Sequence, residues 1–138
     1  MMLRTRFAWL ALVAAFSIPA AASADDYTAF SKTAMSITGD IAFDDYSIVF
    51  ANGEELRFSA LVADHFTVDG ESVPASVYSV ENPGDPELEN GNTLCGGGDV
   101  TYIASYSAGD GMTEIAVFTG DEAPSSSASM CASYIYMD

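Results

Sequence analysis

Apolar and polar residues alternate along most of the chain beyond residue 24, and turn-forming residues interrupt the alternation at short intervals. Tyr46, Ile48 and Phe50 fall on one side of one run, and Leu56, Phe58 and Ala60 on one side of the next. A period of two marks a half-buried strand. Between the runs stands Ala51-Asn52-Gly53. A two-residue Asn-Gly turn would set Ile48 opposite Arg57. A three-residue loop with Gly53 left-handed instead sets Ile48 opposite Leu56 and Tyr46 opposite Phe58. Since one face must be buried, the pattern selects the three-residue loop.

The same reading gives a second hairpin at Asp69-Gly70, joining Phe66–Val68 to Ser72–Val80. Pro74 confines the start of its second strand to an edge or a first-residue position. A third hairpin joins Val100–Tyr106 to Thr113–Thr119 across Ala108-Gly109-Asp110-Gly111, and a last strand covers Cys131–Met137. An opening strand is predicted over Met35–Phe43, kinked near Gly39, and Tyr27–Ala34 has room for two helical turns. Leu56, Ala60 and Ala63 share a helical face, but strand through Val62 fits the alternation better. About seven or eight short strands with frequent turns predict an all-β domain, a small antiparallel barrel or sandwich. Residues 81–99 and 120–129, rich in Gly, Pro and Ser, read as irregular loops.

The first 24 residues follow a different pattern. Arg4 and Arg6 precede an apolar run from Phe7 to Ile18, Pro19 stops it, and Ala22-Ser23-Ala24 offers small residues for cleavage. This is the layout of a secretory signal peptide, with an apolar run shorter than the roughly 20 residues a membrane span needs. The expected organisation is a signal over 1–24 and one β domain over 25–138, periplasmic or extracellular. The mean hydropathy of +0.19 is inflated by the signal.

Cleavage changes the charge balance. The whole chain carries 20 acidic and 4 basic residues, a net charge of -16. All the acids lie beyond residue 24, where only Lys32 and Arg57 are basic, so the exported part has a net charge of −18. Such a chain neutralises no row of phosphates, which excludes nucleic acid, and it is repelled by anionic membrane surfaces. A cationic protein is the partner the charge favours. The apolar content of 49% is too high for a disordered acidic tail.

Cys95 and Cys131, the only cysteines, read as a disulfide in an oxidising compartment. A zinc site is disfavoured because the one histidine, His65, is distant in sequence. His65 is also the sole candidate base, and no G-x-S-x-G elbow accompanies it. It reads as a partly exposed histidine at a strand end. Adjacent carboxylates such as Glu54-Glu55 point to opposite faces of a strand, so they make no acid–base pair. The sequence therefore predicts a non-catalytic domain without a cofactor, one that binds another molecule or supports the envelope. Glu81, Asp85, Glu87 and Glu89 form the best cation candidate, an oxygen-rich loop for calcium without EF-hand spacing. The Gly96–Gly98 run is explained by tight packing beside Cys95. Tyr102 and Tyr106, sharing a strand face with Val100 and Ala104, and Tyr134 and Tyr136 near the end of the chain are the candidate binding aromatics; the competing role is core or rim packing.

Asp85-Pro86-Glu87-Leu88, Gly91-Asn92-Thr93-Leu94-Cys95-Gly96, Val100-Thr101-Tyr102-Ile103-Ala104 and Cys131-Ala132-Ser133-Tyr134 together resemble a pattern of small exported bacterial all-β proteins, to which no activity is attached. The design of a small exported β domain with one disulfide also resembles periplasmic lysozyme inhibitors, which implies inhibition of a basic secreted enzyme. Their Ser-Gly-x-x-Tyr loop is not found here.

Overall fold

The computed structural model describes residues 24–138. All but the last residue of the signal peptide expected over 1–24 lies outside them. Eight antiparallel strands follow one another around a closed barrel in chain order. They are β1 (Asp25–Ala29), β2 (Ile41–Phe43), β3 (Ser47–Val49), β4 (Glu55–Val68), β5 (Glu71–Gly84), β6 (Val100–Gly109), β7 (Met112–Phe118) and β8 (Ala132–Met137). Of the two architectures predicted, the barrel is the one formed. β1 closes it by pairing Thr28 with Met137 and Ala29 with Tyr136 of β8.

The hairpins follow their turn residues. Ile48 lies opposite Leu56, and the Phe58 amide donates to the Tyr46 carbonyl. Gly53 has φ +90° in the intervening loop, so the three-residue turn is the one observed. Asp69 and Gly70 both have positive φ, as do Asp110 and Gly111. That is the mirror-image turn whose twist matches paired strands. Pro74 sits opposite His65, one residue before β5 begins to pair with β6 at Ala75.

Two layers of apolar packing result. Ile41, Phe43, Ile48, Leu56, Tyr78, Ile103, Ile115, Val117, Tyr134 and Tyr136 fill the barrel. A smaller cluster of Phe66, Ala75, Val77, Ala104, Tyr106, Ala116 and Phe118 lies on the opposite face of β5, β6 and β7. Buried neighbours such as Val77 and Tyr78 thus point to different layers. Three register shifts along β4 and β5 accompany this second layer, and bulges of this kind sharpen a bend. Phe66 packs on Tyr106 at 5.3 Å between ring centroids and edge-on against Phe118 at 6.1 Å.

The N-terminal expectations are corrected. The helix allowed over Tyr27–Ala34 is strand β1 as far as Ala29, because both of its edges find partners, β2 and β8. The strand predicted over Met35–Phe43 begins only at Ile41. Residues Ala34–Thr38 form one wide helical turn, closed by the Gly39 amide donating to the Ala34 carbonyl at 2.8 Å. Ala34 and Thr38 are buried at helical spacing, which outweighs the alternation. Gly39 has φ +63° and ψ -163°, a conformation essentially restricted to glycine. A Cβ there would stand 2.5 Å from that of Ala51. Strand β4 also runs past Val62 to Val68, so His65 lies within a strand and not at its end.

Candidate binding surface

The nominated tyrosines divide between the two layers. Tyr134 and Tyr136 point into the barrel and are 2% and 0% exposed. The Tyr136 hydroxyl lies 2.7 Å from Thr38 Oγ1, which itself lies 3.2 and 2.9 Å from the carbonyls of Ala34 and Gly39. Thr38 has one proton for those carbonyls, so Tyr136 donates to Thr38. The Tyr134 hydroxyl donates to the Leu94 carbonyl at 2.5 Å, beside Cys95. Tyr106 belongs to the outer cluster, with Tyr102 packed against it. Tyr102, Ala104 and Tyr106 share the outer layer as predicted, whereas Val100 belongs to the inner one. The four rings make no single surface. Burial pushes Tyr134 and Tyr78 up to about 12, with Asp85 adding to the first and the Asp45 hydrogen bond to the second. Burial raises Tyr136 and Tyr106 as well.

The four loop acids do not converge on one point. Glu81 lies 3.9 Å from Arg57. Asp85 accepts from the amides of Cys95 at 2.9 Å and Gly97 at 3.0 Å. The Glu87 carbonyl accepts from the Asn52 side chain at 2.9 Å, and Glu89 opens a short turn over Glu89–Gly91. Among the described residues, no group of three or more His, Cys, Asp or Glu side chains is placed to hold a metal ion. The glycine run wraps the chain's own Asp85 carboxylate. Its residues have φ between +74° and +147°, and open space surrounds the Cβ positions of Gly96 and Gly97. Backbone conformation, not tight packing, therefore requires them. Cys95 and Cys131 are bridged, with Cα atoms 5.7 Å apart. His65 is exposed, and its Nδ1 lies 2.9 Å from Asp64 Oδ1. That hydrogen bond holds Asp64 below the usual carboxylate range.

Two features escape the sequence reading. The first is a depression of about 480 Å³ lined by Asp64, Ser76, Ser105, Met112, Thr113 and Asp138, among others. Ser76, Ser105, Thr113 and Asp138 each lie two residues from an inward core residue, Tyr78, Ile103, Ile115 and Tyr136 respectively. Period-two alternation places all four on the inner face beyond the core, at one mouth of the barrel. Thr113 Oγ1 donates to Asp138 there at 2.6 Å. Among the described residues, this mouth offers hydroxyls and carboxylates and no cation.

The second feature is an open sheet edge. β3 pairs with β4 only at Glu55, Leu56 and Arg57, whereas β4 continues for 11 residues to Val68. On that side Thr67 is joined to the 120–129 loop, its amide donating to the Ser125 carbonyl. Among the described residues, Ala60–Phe66 has a strand neighbour on one side only, β5. Leu61 and Val62 on this edge are 57% and 42% exposed. Asp64 lines both the edge hollow and the barrel mouth.

No family model, curated protein or solved structure matches the chain.

Proposed function

We propose that the chain is an exported, non-enzymatic binding domain whose partner is a cationic protein, such as a basic secreted enzyme. One observation carries the reading: the two layers of the fold are filled by side chains, and the charged groups of residues 25–138 are nearly all carboxylates. A filled barrel binds at its surface, and a surface of one sign raises the encounter rate with oppositely charged partners. The disulfide is compatible with an oxidising, exported compartment. The loop acids, spread as they are, lend calcium binding no support.

The test is binding of residues 25–138 to lysozyme, to a lysine-rich peptide and to a neutral control protein at low and moderate salt. Salt-sensitive binding of the cationic probes alone is expected. Binding of none of them at low salt overturns the reading. So does turnover of a hydrolase substrate that disappears when one carboxylate is replaced.

A further inference from the structure

The open edge of β4 points to a way of binding. We infer that Ala60–Phe66 is a strand-addition site, where a basic, extended segment of another protein pairs its backbone with the free side of β4. This rests on the reading that the partner is cationic, and it names the place and the geometry.

An unpaired strand edge presents a row of amides and carbonyls that an incoming strand can satisfy. Ala60–Phe66 offers such a row, roughly 23 Å long at the usual rise per residue. Proteins commonly guard such edges with charges and bulges. Here the guard is partial. Register shifts fall between Phe58 and Ala60, between Leu61 and Ala63, and between Ala63 and His65. Val62 has no residue opposite it on β5, so Leu61 and Val62 both stand in solvent instead of one being covered. An extended segment laid along the edge gains apolar cover for this pair as well as backbone hydrogen bonds.

Charge selects the occupant. From Phe58 to Val80 the hairpin carries Asp64, Asp69 and Glu71 and no lysine or arginine. A second copy of the exported chain would bring −18 against −18, so the edge repels itself. A segment of alternating basic and apolar residues is suited on both counts. Its apolar residues add cover beside the exposed Leu61 and Val62, and its basic side chains lie near Asp64 and the mouth of the barrel.

The probe is an octapeptide of alternating lysine and valine. Its control is the same peptide with every backbone nitrogen methylated, which keeps charge and side chains but removes every N–H donor. Binding is read by fluorescence anisotropy, and the site by amide hydrogen exchange. The parent peptide should bind at least about tenfold more tightly than the control. Exchange should slow within Ala60–Phe66, and the variant carrying Leu61→Ser and Val62→Ser should lose most of the difference. Equal binding of both peptides, with no protection at Ala60–Phe66, overturns the edge site and leaves the cationic-partner reading intact. Failure of both peptides to bind at low salt removes both. Dimerisation of the protein alone through this edge, seen by sedimentation and exchange, also overturns the inference.

Discussion

Tyr136 shows how much of this fold is decided by single side chains. Its ring fills the barrel and its hydroxyl needs Thr38, because a buried hydroxyl without a partner costs about 1–3 kcal/mol. Tyr134 solves the same problem with the Leu94 carbonyl, and Tyr78 with Asp45 at 2.6 Å. Burial is the main force holding each phenol in its protonated form, and for Tyr78 the Asp45 hydrogen bond adds to it. An unfolded tyrosine titrates near 10, whereas Tyr78 and Tyr134 are pushed up to about 12. Between these values the folded chain binds more protons than the unfolded one, so stability must fall as pH rises. The contribution is complete below about pH 10 and is lost as pH climbs through about 12. Tyr106 and Tyr136 act in the same direction. Tyrosinate absorbance and far-UV circular dichroism, followed together in an alkaline titration, check this. Ionisation of these four should coincide with collapse of the β signal. Ionisation of all 7 tyrosines near pH 10 with the fold intact would contradict it.

At the scale of elements, the disulfide links pieces that no hairpin connects. Cys95 precedes β6 and Cys131 precedes β8, and the Cys131 amide donates to Val117 of β7 at 2.8 Å. A bridge across 36 residues restricts the unfolded chain by about 4 kcal/mol in the chain-entropy view. The double variant C95S/C131S should lose a comparable amount in urea unfolding, and equal stability of both forms would refute the estimate. The bridge and the hairpins were legible because each rests on local chemistry: two cysteines, Gly53, Asp69-Gly70 and Asp110-Gly111. The N-terminal region was not. Asp25-Asp26-Tyr27 has no strand signature and is held extended by β2 and β8, while the turn at Ala34–Thr38 depends on Tyr136, 98 residues away from Thr38. Within β4 the stretch between Val62 and Phe66 escaped the reading because Asp64 and His65 are both exposed, and two polar neighbours in solvent carry no alternation. The barrel mouth is built from serines, a threonine and aspartates whose convergence only the register creates.

For the whole molecule the decisive quantity is net charge. Among the described residues the only lysine or arginine close to carboxylates is Arg57, at 4.0 Å from Glu55 and 3.9 Å from Glu81, and all three are solvent-exposed. Pairs of that kind contribute about 0–1 kcal/mol, far too little to offset the repulsion among the remaining carboxylates. At 0.01 M salt the screening length is about 30 Å, so charges across a domain of this size repel one another, while at 0.15 M it is about 8 Å and only neighbours do. Thermal stability should therefore rise with sodium chloride over this range, by a few degrees for each kcal/mol of repulsion relieved. Binding of a cationic partner should weaken over the same range, since the same screening removes its attraction. The two slopes have opposite signs because both come from the net charge of −18 on residues 25–138. Melting temperature and lysine-peptide affinity, measured in parallel across the salt series, test that common origin. A melting temperature independent of salt would mean that the carboxylates are spaced widely enough for water alone to separate them, and the affinity would then have to come from the β4 edge and not from the charge of the whole.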